Sequence, residues 1–136
     1  MASGYSNTTL AKKLGIKQGF TFAIINQPEH YFNLFSDLPD QLFIKKSLNV
    51  DSLDLIHLFC TSKNELKANA IRCKNALKKT GILWVSWPKG SSKITTDLKR
   101  EPIRMHLLNI GLVDIKVAAI DDDWSGLKFV YRLKDR

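Results

Sequence analysis

The sequence predicts a single α/β domain built on a mainly parallel six-stranded sheet whose last strand runs antiparallel. Short apolar runs alternate with amphipathic helical stretches along the chain. One run, "ILWVSW", is apolar on both faces, as a central parallel strand covered on both sides must be. The chain closes on two strands joined by a connection too short to cross a sheet, which makes that last pair antiparallel. At 136 residues, 44% of them hydrophobic, one core suffices and no disulfide or metal staple is required.

Taken in order, "YSNTTLAKKLG" is expected to be a short helix capped by Thr8, with Leu10 and Leu14 on one face and Gly15 at its end. "GFTFAIIN", residues 19–26, is the first strand, rich in aromatic and β-branched side chains. A helix is expected in "QPEHYFNLFSDLP": Pro28 suits its first turn, Tyr31, Phe32, Leu34, Phe35 and Leu38 supply an apolar side, and Pro39 ends it. "DQLFIKKS" gives a short second strand and "SLDLIHLFC", residues 52–60, the third. Ser62 and Glu65 then form a capping box, ahead of Leu66, Ala70, Cys73 and Leu77 at helical spacing, and Gly81 is expected to end that helix. After the fourth strand, "ILWVSW", the stretch "TDLKREPIRMHLLNIG" carries a face of Ile103, Leu107 and Ile110, with Pro102 in the first turn or at a kink and a stop at Gly111. "VDIKVAAI" and "LKFVYRL" are the last two strands, with "DDDWSG" as their turn. Right-handed crossovers fix the strand order 2-1-3-4-6-5 in a three-layer domain covering residues 1–136. Ile24, Leu55, Leu58, Leu66, Leu77, Leu83, Val85, Val117 and Val130 are its expected core.

The segments "LDLIHLF", "LKKTGILWVSWP", "NIGLVDIKV" and "GLKFVYRL" resemble the second half of the class I methyltransferase fold, where the last strand inserts antiparallel beside the penultimate one. More closely, "YSNTTLAKKLGIK", "LWVSWPK", "SK", "TDL", "WSGLKFV" and "RLKDR" resemble a bacterial family of small proteins of unknown function, over nearly the whole chain. That resemblance implies a fold and a cytoplasmic bacterial setting, and no activity. The methyltransferase resemblance implies adenosylmethionine, held in that fold by a glycine-rich turn after the first strand and an acidic residue at the end of the next. Here the first strand ends "IINQPEHY", without glycine and with Pro28 lacking an N–H, and the second ends in Lys45 and Lys46. No cofactor is therefore expected.

Function is read from position. Ligands of open α/β sheets lie beyond the carboxyl ends of the parallel strands. The fourth strand ends in a loop of hydroxyls and cations, so Ser86, Trp87, Lys89, Ser92, Lys93 and Thr96 form the candidate site for a small anionic or nucleotide-like ligand. Trp124 and Lys128 of the final hairpin are expected to join them, although packing is the preferred reading of Trp124. In a second reading the serines and threonines only cap the next helix and the lysines are solvated. The favoured function is a binding or adaptor protein whose partner is a small anion or another protein. The alternatives are an enzyme acting on a small phosphorylated or carboxylated substrate, and an RNA or DNA binder using the +8 net charge.

No catalytic or metal-binding residue is assigned. His30, His57 and His106 have no spacing partners, and His57 reads as a core residue. Cys60 stands at the right end of its strand but needs a base or a helix terminus to activate it. Asp121, Asp122 and Asp123 read as an acidic hairpin rather than a cation site. Lys63, Lys67, Lys74 and Lys78 read as the solvated face of one helix. The two cysteines read as buried reduced thiols, no apolar run is long enough to span a membrane, and a cytoplasmic location is expected.

Overall fold

The computed structural model describes residues 8–136. Its strands are β1 (Thr21–Ile25), β2 (Phe43–Lys45), β3 (Leu53–Phe59), β4 (Leu77–Pro88), β5 (Leu112–Ala119) and β6 (Trp124–Tyr131). Between them lie the helices α1 (Leu10–Leu14), α2 (Lys63–Ala76) and α3 (Arg100–Asn109). One sheet holds the strands in the order β2-β1-β3-β4-β6-β5, as the sequence predicts. β1 to β4 pair in parallel, and β6 runs antiparallel to both its neighbours.

Strand alternation divides the side chains between two cores. Ile56, Leu58, Leu83, Val85, Leu127 and Phe129 face α2 and α3, which contribute Leu66, Ala70, Cys73, Ile103 and Leu107. Leu55, Phe59 and Trp84 face the opposite way, against Leu14, Ile16 and Tyr31. That second layer is thin, built from α1 and the chain between β1 and β2. Trp84 fastens it: its Nε1 donates to Leu14 O (2.8 Å).

Two elements depart from expectation. The helix expected in residues 27–39 is one 3-10 turn, Tyr31–Leu34, after which Phe35 is extended. Tertiary bonds prevail over the local pattern here. Tyr31 Oη bonds His57 Nδ1 (2.8 Å), His30 Nε2 bonds Asp121 Oδ2 (3.1 Å), and Asp37 accepts from Thr9 Oγ1 (2.9 Å). These anchors hold the segment stretched across the sheet, where a helix would gather it up.

α2, in turn, stops at Ala76 instead of Gly81, and Leu77–Gly81, with Lys78, belong to β4. The cause is capture of the helix end by the start of β3. Asp51 N and Ser52 N donate to Asn75 O and Ala76 O, both at 2.9 Å, and Lys78 Nζ pairs with Asp54 (3.1 Å). β3 advances two residues, Leu53 to Leu55, while its partners advance from Leu77 to Ile82, so β4 bulges between them. Gly81 sits in that bulge, where a Cβ would lie 2.9 Å from Lys78 O and 3.0 Å from Leu53 O. Its glycine is demanded by close backbone approach rather than by a helix end.

Smaller corrections concern ends and burial. Thr9, not Thr8, is the N-cap of α1, without a side-chain cap bond, and the expected start of that helix at residues 5–7 lies outside the described residues. Trp124, Ser125 and Gly126 belong to β6, which leaves Asp121–Asp123 as the turn. There Asp121 Oδ1 accepts from Asp123 N and Trp124 N, both at 2.8 Å, so this acid orders the hairpin. Ile24 and Val130 are half-buried, and Val117 is 47% exposed because β5 is an edge strand. The other expected core residues are buried.

Candidate functional site

Beyond the carboxyl end of β4, on the α2/α3 side of the sheet, Trp87 and Pro88 open into a cavity of about 600 Å³. Its far wall is the loop leading to α3, and this loop is built, not slack. Lys89 N donates to Asp123 O (2.8 Å), and Ser92 Oγ donates to Asp123 Oδ1 (2.9 Å) while accepting from Ile94 N (3.1 Å). Thr96 Oγ1 donates to Thr61 O (2.7 Å) and accepts from Leu98 N (3.0 Å). Asp97 Oδ1 accepts from Lys63 N at the start of α2 (2.8 Å). The hydroxyls thus hold the loop's own shape; neither caps α3, whose N-cap is Lys99 with no side-chain bond.

Cations line this cavity. Lys89, Lys93, Lys99 and Arg100 border it, with Trp87, Ile94 and Leu98 as its apolar part. Among the described residues no carboxylate pairs with any of the four. The N–H groups of Arg100 and Glu101 precede the first bond of α3, Ile103 N to Lys99 O (3.4 Å), and a helix start of this kind favours negative charge. Among the described residues no histidine, cysteine or carboxylate lines the cavity, so these offer charge and shape without a general base.

Five of the eight residues singled out from the sequence meet here: Trp87, Lys89, Ser92, Lys93 and Thr96. The other three do not line it. Ser86 faces the opposite core, fully buried, with its Oγ 2.7 Å from His57 Nε2. Trp124, opposite Pro88, is buried against Phe59 with ring centroids 4.9 Å apart, which is the packing role. Lys128 lies opposite Trp84, four residues or about 13 Å further along β6. Lys99 and Arg100 were missed. Their signal was Pro102, which as an early helical residue places the start of α3 at the cavity rim.

His57, Cys60 and Cys73 are closed off by burial. His57 bridges Tyr31 and Ser86, and burial pushes its pKa down to about 3, so it is a neutral link. Cys60 and Cys73 are free and buried, and burial first of all pushes both thiols up to about 12, away from the thiolate. Among the described residues no group of His, Cys, Asp and Glu is arranged to hold a metal ion, and no helix is long and apolar enough to cross a membrane.

Known structures share this architecture. A SAM-dependent methyltransferase from Aquifex aeolicus superposes with a TM-score of 0.57 at 15% identity, over 88% of this chain and 86% of its own. The fold is methyltransferase-like. A TehB-like SAM-dependent methyltransferase from Corynebacterium glutamicum gives 0.57 at 8% identity, covering 94% of this chain and 90% of that one. The fibrillarin pre-rRNA processing protein of Methanococcus jannaschii gives 0.50 at 12%, covering 90% and 73%. No family model and no curated protein matches the chain.

The residues present do not fit adenosylmethionine. At the end of β1, Asn26 does adopt the left-handed backbone of a glycine turn, with φ 60°. Yet Pro28 follows without an N–H, and the next turn buries Tyr31 against His57 and Phe59. β2 is exposed throughout and runs into Lys45 and Lys46, where a carboxylate would be needed for the ribose hydroxyls.

Proposed function

We propose that this chain is a binding protein on a methyltransferase-like scaffold, and that its ligand is a small anion held in the cavity at the end of β4. One observation carries the reading: four cations, Lys89, Lys93, Lys99 and Arg100, converge on a ligand-sized cavity and have no carboxylate partner among the described residues. A phosphate or carboxylate supplies the missing charge, and Trp87, Ile94 and Leu98 offer an apolar surface to the rest of the molecule. Adenosylmethionine carries a sulfonium cation and is the wrong sign for this cavity. The lack of a general base in the lining favours binding over turnover. We place the protein in the cytoplasm, with its two buried free thiols, and group it with the small bacterial proteins its motifs resemble.

Isothermal titration with nucleoside monophosphates, sugar phosphates and citrate, beside adenosylmethionine, tests this. Saturable binding of at least one of the anions, lost in Lys93→Ala/Arg100→Ala, is expected. No heat from any anion, or affinity unchanged in that variant, overturns it.

A further inference from the structure

Lys128, which does not reach the cavity, belongs to a second cationic group on the opposite side of the sheet. Lys116 and Lys128 are direct partners across β5 and β6. Like charges placed opposite one another on neighbouring strands destabilise a sheet, so the pairing needs a reason. Lys128 Nζ lies beside Gly15 at the end of α1, 3.8 Å from where a Cβ would stand. Lys116 Nζ reaches the same helix end, donating to Lys13 O at 3.4 Å. Lys17, exposed, follows two residues after Gly15 at the same end of α1. Burial, reinforced by Lys116 and Lys17, lowers the pKa of Lys128. The Lys13 carbonyl accepts from Lys116, and no carboxylate among the described residues pairs with Lys17, Lys116 or Lys128.

We propose that Lys17, Lys116 and Lys128 form a second anion site, separate from the cavity at the end of β4, that takes a phosphoryl group. A single carboxylate balances one ammonium, whereas a phosphoryl group offers several oxygens to lysines arriving from three segments. The backing is firm, because Trp84 ties Leu14 to β4 and Lys128 stands on the neighbouring strand. The phosphoryl group belongs either to a small phosphate or to a nucleic-acid backbone.

The experiment uses the Lys89→Ala/Lys93→Ala protein, so that loss of the first cavity does not confuse the second. Amide resonances are followed by NMR during titration with sodium pyrophosphate and, separately, with short single-stranded DNA. Shifts centred on Gly15, Lys116 and Lys128 are expected with at least one probe. Adding Lys116→Gln/Lys128→Gln should weaken that probe about tenfold or more while raising the Tm of the unliganded protein, because the opposed charges are gone. Response to pyrophosphate alone identifies a small phosphate, and response to DNA with a steep salt dependence identifies a backbone. Neither probe moving these resonances, or unchanged affinity in the glutamine variant, overturns the proposal.

Discussion

Replacing His57 by phenylalanine removes a buried neutral ring that joins two hydroxyls. In the folded chain the ring is fully buried and its pKa is pushed down from 6.5 to about 3 by that burial. The unfolded chain takes up the proton near pH 6.5. Because the folded pKa is the lower of the two, the stabilisation is complete above about pH 6.5 and is lost as pH falls below it. At about 1.4 kcal/mol per pH unit for one proton, this ring costs the wild-type protein about 2 kcal/mol between about pH 6.5 and 5. His57→Phe lacks that dependence but leaves the Tyr31 and Ser86 hydroxyls without their partner, at about 1–3 kcal/mol each. The variant should therefore be less stable than wild type by about 2–6 kcal/mol at neutral pH, with the gap narrowing by about 2 kcal/mol toward pH 5. Urea unfolding followed by tryptophan fluorescence at successive pH values measures both. A gap that stays constant from neutral pH down to 5 refutes the account of His57 as a proton-excluding link.

Three further outcomes follow from the geometry. Lys89→Ala/Lys93→Ala should weaken an anion bound in the β4 cavity by about 1–3 kcal/mol in titration calorimetry, with stability unchanged within about 0.5 kcal/mol, since neither side chain makes an ion pair among the described residues. Gly81→Ala should cost about 1–3 kcal/mol in thermal melts, because its Cβ would press on two backbone carbonyls; an unchanged Tm would mean that the bulge relaxes freely. Adenosylmethionine should give no micromolar binding, and a dissociation constant in that range, equivalent to about 8 kcal/mol, would reverse the reading of the Asn26–Glu29 turn.

The sheet was legible because its signals are local and redundant. The Ser62–Glu65 capping box predicts the start of α2, and there Ser62 Oγ accepts from Glu65 N at 3.1 Å. Glu65, however, turns its carboxylate to Thr61 N (2.7 Å) instead of to Ser62. What the sequence hid was decided by distant partners. Nothing near Tyr31 announces that its hydroxyl meets His57, and nothing near Ala76 announces that Asp51 and Ser52 claim the last carbonyls of α2. The site shows a different kind of miss. Ser86 and Trp87 are neighbours in one strand and so face opposite sides, which excludes their sharing a cavity floor. Parity, already present in the sequence, separates the five residues that meet from Ser86.

The insertion of β6 between β4 and β5 bears on how the chain is made. Among the described residues β5 has no strand partner except β6, which is translated after it. Until residues 124–131 leave the ribosome, β4 presents an open edge and the Ile115–Val117 stretch has nothing to pair with. Both are surfaces onto which another nascent chain can add a strand. A product stopped after Ala119 should therefore aggregate, even though it carries all of β1 to β5, and the final hairpin should be the last part of the sheet to close.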